Sequence, residues 1–318
     1  MIDKCLDVYK NLNIQIVNDA ISVSPCCLFP TKATDKIEFQ NNTLLKDVRS
    51  HWDNGVIPDV CIGCTRHKHS NRWYNDNGYS NTTVELIRLD YWVGDVCNLK
   101  CVICGPENSS AWKEELKIPL TLRKNTVNQI WKDLDLHQLK FIHFNGGEPL
   151  LSKEHVEFLE ALPNKSQIHI NYNTNGTILP SDKLLSLWNE FKLVQLDFSI
   201  DDIEERFEYQ RYPAKWGRVT ENLQWYINEA PVNCMFAVNT TVSILNQDNL
   251  INLNQWLRKN FNSNRVTDPI DYRTQDAKGL FAIGNTNKKQ IIDFLNSCDQ
   301  RRGTDWKKTF PELIEKLS

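Results

Sequence analysis

The sequence lacks the features that mark several large classes of protein. It has no uninterrupted apolar run near the roughly 18 residues of a membrane-spanning helix. Its first residues carry charges where a secretory signal peptide needs an apolar core. Its net charge is only −3, so no global attraction to nucleic acid or to anionic lipid exists. We therefore expect a cytoplasmic protein with no membrane partner and no nucleic-acid partner.

Length and composition predict a folded chain with a large core. The chain has 318 residues, of which 41% are hydrophobic and 24% are charged, and this balance excludes wholesale disorder. At roughly 150 residues per domain, the length predicts two domains, or one large domain with an appendage. The amino-acid composition changes near residue 83, because residues 1–82 are rich in turn residues and poor in aliphatic ones.

The ten cysteines are too dilute for a disulfide scaffold but unusually many for a cytoplasmic chain. Cysteines grouped at short spacings are typical of metal ligands. Cys234 and Cys298 stand alone and are predicted to be buried core residues. The remaining eight form two candidate metal groups, Cys5, Cys26, Cys27, Cys61 and Cys64 in the N-terminal segment, and Cys97, Cys101 and Cys104 after it.

From residue 84 onward, strand-like and helix-like segments alternate. The strand-like runs are 84–91, 140–144, 168–173, 193–200 and 235–242, with a weaker sixth near Ile270. The helical runs are 110–116, 127–134, 155–162, 184–191, 218–228 and 250–261. This alternation predicts an α/β fold with a parallel sheet, either a partial (β/α)6 TIM-like barrel or an open doubly wound sheet. In both, functional groups lie at the carboxyl ends of the strands.

Small and polar residues follow each of these strands. The cysteine triplet follows the first strand, Gly146, Gly147, Glu148 and Pro149 follow the second, Asn173 ends the third, and Ser199 and Asp201 end the fourth. The two glycines let a ligand approach the backbone closely. The exposed backbone and the Glu148 carboxylate can hold an ammonium group, and the other polar groups can bind a ribose or a carboxylate. Each turn by itself is also typical of an ordinary strand end.

Two of these motifs together resemble the radical S-adenosylmethionine (SAM) superfamily. Cys97-x3-Cys101-x2-Cys104 has the spacing of its cysteine signature, and Gly146-Gly147-Glu148-Pro149 is similar to its methionine-binding turn. One departure is Ile103, since an aromatic residue usually precedes the third cysteine. The resemblance implies a radical SAM barrel over residues 83–318, with catalytic side chains left unidentified.

The resemblance also implies cofactors and their ligands. Cys97, Cys101 and Cys104 would bind three irons of a [4Fe–4S] cluster, whose fourth iron binds the methionine part of SAM. Gly146, Gly147 and Glu148 would receive the amino group, Asn173, Ser199 or Asp201 would bind the ribose, and Arg211 would pair with the carboxylate. Arg211 as a solvated surface charge is the alternative. An external reductant of the flavodoxin or ferredoxin type would supply one electron, and the resulting 5′-deoxyadenosyl radical would abstract hydrogen from the substrate.

The N-terminal cysteines resemble a twitch/SPASM auxiliary-cluster module, which places residues 1–82 in a small irregular α+β iron–sulfur domain. In most family members this module follows the barrel, whereas here it precedes it. The resemblance implies a second [4Fe–4S] cluster on Cys5, Cys61, Cys64 and either Cys26 or Cys27. Zinc is the alternative, with His67 and His69 as further candidate ligands.

Three functions remain open from the sequence. Auxiliary clusters of this type accompany peptide or protein modification, by oxidation, crosslinking or epimerisation, and this is the function we expect. Dehydrogenation of a small-molecule alcohol or sugar is the first alternative. A zinc-binding interaction protein without catalysis is the second, but it leaves the Gly146–Pro149 turn unexplained.

Overall fold

The computed structural model describes residues 4–17, 20–34, 37–62, 64, 66–119, 130–267 and 273–318. Its strands are β1 (Asn11–Val17), β2 (Ala20–Ser24), β3 (Lys32–Ala33), β4 (Arg88–Trp92), β5 (Phe141–Asn145), β6 (His169–Thr174), β7 (Leu193–Ser199), β8 (Cys234–Val242) and β9 (Arg273–Asp276). They form one sheet in the order β3-β2-β1-β4-β5-β6-β7-β8-β9. Strand β2 is antiparallel to β1 and β3, and every other neighbouring pair is parallel. The predicted α/β fold with a parallel sheet is confirmed.

Helices follow most of the parallel strands. They are α1 (Asp7–Lys10), α2 (Thr43–Asp53), α3 (Arg66–Asp76), α4 (Ser110–Glu115), α5 (Lys153–Ala161), α6 (Asp182–Trp188), α7 (Glu204–Gln210), α8 (Trp216–Glu229), α9 (Leu250–Asn260), α10 (Lys288–Arg302), α11 (Trp306–Thr309) and α12 (Pro311–Leu317). Local sequence fixes several ends: the Ser109 and Ser181 hydroxyls cap α4 and α6, and Gly303, at φ 66°, ends α10. None of the helices in the described ranges is long and apolar enough to cross a membrane.

One predicted strand begins later than expected, and two predicted elements lie wholly or partly outside the described residues. Strand β4 begins at Arg88 rather than at residue 84, because the backbone at Glu85 and Ile87 instead bonds to Tyr9 and Lys10 just before β1. The predicted helix 127–134 lies partly outside the described residues, and Ile130–Asp133 forms a 3-10 turn. The predicted strand near Ile270 also lies outside the described residues, and β9 begins three residues later.

The N-terminal segment joins the same sheet as the later strands. The predicted hairpin of β1 and β2 is present, with Ile14 opposite Val23. Strand β1 also lies parallel to β4, with Asn13 opposite Asp90. The sheet therefore crosses the expected boundary between residues 82 and 83, because the free edge of β4 is paired by the N-terminal strand. The division into two domains stays a prediction.

The two faces of the sheet differ in chemistry because successive side chains of a strand point to opposite faces. One face is apolar and packs into the main core, where Phe144 stacks on Tyr172 with ring centroids 5.0 Å apart. We call the other the polar face. Register places its residues in two rows, Asn13, Asp90, His143, Asn171 and Gln195 in the first, and Trp92, Asn145, Asn173 and Asp197 in the second.

Candidate active site

Three cysteines, Cys97, Cys101 and Cys104, lie on the loop that follows β4, which we call the cysteine loop (residues 97–104). Helix α4 anchors this loop through side chains. The Ser110 hydroxyl bonds to both the backbone N–H and the carbonyl of Cys97, each at 3.1 Å. The Ser109 hydroxyl donates to the Leu99 carbonyl at 2.6 Å, and the Trp112 indole N–H donates to the Cys101 carbonyl at 2.9 Å. These bonds fix the loop against α4.

A second anchor comes from the segment after α7. The Lys100 N–H donates to the Tyr212 carbonyl at 2.6 Å, and the Val102 N–H donates to the Gln210 carbonyl at 2.8 Å. These two bonds pair the backbone of residues 100–102 with that of residues 210–212, as in two short neighbouring strands. The loop thus connects the carboxyl end of β4 with the region beyond β7, as a site at one edge of a parallel sheet requires.

The three thiols of the cysteine loop are suited to a metal cluster. The Cys104 N–H donates to the Cys101 carbonyl at 3.0 Å, which makes a tight turn between two ligands. Burial, with the neighbouring Cys101 thiol, raises the pKa of Cys97 and Cys104 to about 12, and burial raises the pKa of Cys101. Only bound cations would keep such buried sulfurs ionised, and sulfur donors select iron–sulfur clusters or zinc. Among the described residues, no three metal-ligating side chains are spaced for a single ion.

The turn after β5, which we call the glycine turn (residues 146–149), packs directly on residues 94–96, which precede the cysteine loop. The Gly147 N–H donates to the Gly94 carbonyl at 2.7 Å, and the Glu148 N–H donates to the Val96 carbonyl at 2.8 Å. Gly146 has φ +124°, and a Cβ there would lie 2.5 Å from the Gly94 oxygen. A Cβ on Gly147 would lie 2.3 Å from the Val96 oxygen. Only glycines permit this approach of two backbones.

Glu148 links the ends of β5 and β6. Its buried carboxylate accepts hydrogen bonds from the Thr174 hydroxyl at 2.9 Å and from the N–H groups of Leu150 and Asn175 at 3.1 and 2.7 Å. Burial raises the pKa of this carboxyl to about 7, although the donors oppose the rise. Three of about four acceptor positions are therefore occupied by the protein itself. A role of the side chain in receiving an ammonium group stays a prediction, while Pro149 begins a 3-10 turn that sets the chain direction.

Asp201 and Arg211 form a buried ion pair at the ends of β7 and α7. The Arg211 Nη2 lies 2.8 Å from Asp201 Oδ2, and the Thr241 N–H donates to Asp201 Oδ1 at 2.8 Å. Arg211 is thus buried rather than a solvated surface charge. Its Nε has no protein partner, so a donor remains for a ligand carboxylate. Asn173 likewise keeps a buried, unpartnered Oδ1 that fits a hydroxyl donor, whereas Ser199 is half-buried beside Asn239.

A comparison with protein families connects these features. The model of the radical SAM superfamily matches residues 92–245, which contain the cysteine loop, the glycine turn and the Asp201–Arg211 pair. These residues are a radical SAM domain. The superfamily inferred from the two motifs is therefore confirmed, and it implies a [4Fe–4S] cluster and SAM binding.

Relatives of the radical SAM domain match only part of the chain. The GTP 3',8-cyclase of Pasteurella multocida is 27% identical over 115 residues, which are 36% of this chain and 33% of that protein. The GTP 3',8-cyclase of Vibrio cholerae serotype O1 is 25% identical over 218 residues, 64% of this chain and 59% of that protein. The chain thus spans about a third of the first relative's length. The structure of Streptococcus suis SuiB bound to precursor peptide SuiA is similar over 98% of this chain and 75% of SuiB, with 11% identity and a TM-score of 0.42.

The N-terminal cysteines converge at one pocket outside the radical SAM domain. Cys5, Cys26, Cys61 and Cys64 all line it, together with apolar side chains that include Trp52, and Cys27 is not among the lining residues. The Cys64 N–H donates to the Cys61 carbonyl at 3.1 Å, the same turn as in the cysteine loop. Burial raises the pKa of Cys26 to about 12. Of the two alternatives left open by the sequence, the pocket favours Cys26, while the side chains of His67 and His69 lie outside the described residues.

The two cysteine groups lie at opposite ends of the parallel strands. The cysteine loop leaves the carboxyl end of β4, whereas Cys5 precedes β1 and Cys26 follows the antiparallel β2, at the amino end of the parallel strands. The five residues of β4 span about 17 Å. The polar face lies between these two ends.

Several side chains of this site were missed by the sequence analysis. His143 and Asn145 alternate with Ile142 and Phe144 in β5, and this period of two is the signal that places them on the polar face. The His143 Nδ1 lies 3.5 Å from the Asp90 carboxylate and 3.1 Å from the Asn145 amide. The anchors of the cysteine loop carried no such signal, because they are joined to it only by tertiary contacts.

Proposed function

We propose that this radical SAM enzyme modifies a peptide or protein, with net oxidation, and that it carries an auxiliary [4Fe–4S] cluster on Cys5, Cys26, Cys61 and Cys64. One observation carries the proposal: the two cysteine groups lie at opposite ends of the parallel strands, and the polar face lies between them. A substrate on that face would lie between the site of radical formation and a second redox group. Such an arrangement suits removal of a hydrogen atom at one end of the strands and of an electron at the other, with the second hydrogen leaving as a proton to solvent.

The residues at the carboxyl ends of the strands would bind the cluster and SAM. Cys97, Cys101 and Cys104 would hold the cluster, which supplies the electron that cleaves SAM to a 5′-deoxyadenosyl radical. The backbone at Gly146 and Gly147 would bind the amino group of SAM. The free Nε of Arg211 would bind its carboxylate, while Asp201 fixes the guanidinium. The Oδ1 of Asn173 would accept from a ribose hydroxyl.

The polar face has the chemistry of peptide recognition. His143 Nε2, Asn171 Nδ2 and Asn13 Oδ1 are buried there without a hydrogen-bond partner. Buried polar atoms need partners, so a ligand or water must supply them. Amide donors and acceptors match the N–H and C=O groups that every peptide unit offers.

A second candidate function is cyclisation of a nucleotide, since the curated relatives are called GTP 3',8-cyclase. A triphosphate needs several converging cations. Arg88 lies two residues before Asp90 in β4 and therefore on the same face, where it is the one arginine among the described side chains. Its guanidinium carbon lies 4.9 and 4.5 Å from the ring centres of Trp73 and Phe141. The carboxylates Asp90 and Asp197 lie on the same face. This charge distribution favours a peptide over a nucleoside triphosphate.

The test uses anaerobically reconstituted protein with SAM and dithionite. We expect a brown protein with about eight irons per chain and formation of 5′-deoxyadenosine that Cys97→Ala abolishes. A library of peptides and, separately, GTP are then added. The proposal predicts a peptide that loses two hydrogens and no conversion of GTP. Colourless protein that contains only zinc would instead support the interaction protein, and turnover of GTP would support the second candidate.

A further inference from the structure

We infer that Arg302, on the C-terminal helix α10, is a positioning residue that clamps the cysteine loop and raises the reduction potential of the cluster bound there. Arg302 lies outside residues 92–245, which the family model covers. The inference rests on the proposed function in one respect, that the three loop cysteines hold a reducible cluster.

The Arg302 side chain is enclosed between the cysteine loop and its anchors. It is only 2% exposed. Its guanidinium carbon lies 4.5 Å from the centre of the Trp112 ring and 5.1 Å from that of Tyr212. Both rings belong to segments that hold the loop, because Trp112 donates to the Cys101 carbonyl and the Tyr212 carbonyl accepts from Lys100. A planar cation between two aromatic rings holds both segments together.

Arg302 also bonds to the cysteine loop directly. Its Nη2 donates to the Lys100 carbonyl at 3.0 Å, one residue before the ligand Cys101. Its Nε donates to the Glu115 carboxylate at 3.2 Å, at the end of the helix that anchors the loop. The fork of the guanidinium thus joins α10, α4 and the loop. Lysine could not reproduce this arrangement, since an ammonium group has no planar fork.

The ion-paired network that contains Arg302 has more cations than carboxylates. Glu115 is the carboxylate of this network, and it meets three cations: Lys100 at 3.1 Å, Arg301 at 2.6 Å and Arg302 at 3.2 Å. Arg211, which also acts on the Cys101 thiol, is paired with Asp201. The network therefore places excess positive charge beside Cys101. Because Arg302 is buried and the Arg301 side chain is 28% exposed, solvent screens Arg301 more.

A buried cation next to a cluster favours the reduced form, because reduction adds negative charge. Partners beyond the direct ligands also orient those ligands and tune the metal. The charge effect predicts that removing the Arg302 charge makes the cluster harder to reduce. A merely structural role would change how much cluster is bound, but not its potential.

The experiment compares Arg302→Met, Arg302→Lys and Arg301→Met in the full chain with the reconstituted cluster. The midpoint potential is measured by redox titration with electron paramagnetic resonance detection. To isolate this cluster, the titration is made in a Cys5→Ala, Cys61→Ala background. We expect a more negative potential for Arg302→Met, a nearly unchanged potential for Arg302→Lys, and a smaller shift for Arg301→Met. Equal shifts for the two methionine variants, or an unshifted potential in Arg302→Met, would overturn the inference.

A second measurement needs no cluster. Hydrogen exchange of the apoprotein reports on the amides of Val102 and Cys104, which the clamp holds. We expect about tenfold faster exchange in both Arg302 variants, because each loses the guanidinium that joins the Lys100 carbonyl to Glu115. Unchanged exchange would overturn the clamping role even if Arg302→Met failed to bind a cluster. Absence of any cluster in the wild type would contradict the proposed function, while the exchange result would still decide on the clamp.

Discussion

The close contact between Gly147 and the backbone of Val96, just before the cysteine loop, leaves no room for a side chain at position 147. Gly147→Ala introduces a Cβ that would lie 2.3 Å from the Val96 oxygen and 2.6 Å from the Val96 carbonyl carbon. Both atoms are backbone, so no flexible side chain can move aside. The turn and the chain before Cys97 must separate.

The magnitude follows from the contacts that are lost. Forcing extra volume into a packed site costs about 1–3 kcal/mol. Separation also weakens the hydrogen bonds from Gly147 N–H to Gly94 and from Glu148 N–H to Val96, each worth about 1 kcal/mol. We therefore expect Gly147→Ala to lower the free energy of unfolding by about 3 kcal/mol, a large part of the stability of a typical domain.

Urea denaturation of the apoprotein measures this loss, and iron content after reconstitution measures the effect on the cluster. Gly217→Ala is the matched control, because a Cβ at Gly217 meets no atom within 4 Å and the residue lies in the first turn of α8. We expect that control to be neutral or stabilising by up to about 1 kcal/mol. If Gly147→Ala matched the wild type in stability and iron content, the argument that glycine is required there would be refuted.

Three further predictions concern buried groups. Asp201→Asn leaves the buried Arg211 without a charged partner and should cost about 3 kcal/mol by urea denaturation; an unchanged stability would contradict the buried pair. Burial raises the pKa of Glu148 from 4.5 to about 7, so its favourable contribution is fully present below pH 4.5 and is lost as the pH rises to 7. Unfolding free energies should therefore show the wild type losing stability relative to Glu148→Gln across that window, and parallel profiles would contradict the raised pKa. Cys26→Ala should lose about four irons per chain by iron assay, whereas Cys27→Ala should keep them, and the reverse result would identify Cys27 as the ligand.

The parallel sheet was predictable because its signals are local. Val194 and Leu196 alternate with Gln195 and Asp197 in β7, and helical segments with periodic apolar residues lie between such strands. The start of β4 was not predictable in the same way. Residues 84–87 have the composition of a strand, but their backbone bonds to Tyr9 and Lys10, which are more than seventy residues away in sequence.

The functional site also combines features that have a local sequence signal with features that depend on distant contacts. Cys97, Cys101 and Cys104 are close in sequence, and a short loop must keep them close in space, so the candidate cluster ligands could be read from spacing. The Asp201–Arg211 pair was predicted only as two separate ligand groups, and the structure joins them in one buried ion pair. Glu148 was predicted to face a ligand, yet its carboxylate bonds to donors of β6, because packing brings those donors to it.

The sequence by itself determined the radical SAM domain, its cysteine triplet and its glycine turn, since each depends on a few neighbouring residues. Only the tertiary structure decided that β1 pairs with β4, that Cys26 rather than Cys27 lines the pocket with the distant Cys61 and Cys64, and that Arg302 reaches the cysteine loop. These contacts join segments far apart in the chain. Their partners are chosen by the packing of the whole sheet and its helices, which no local pattern encodes.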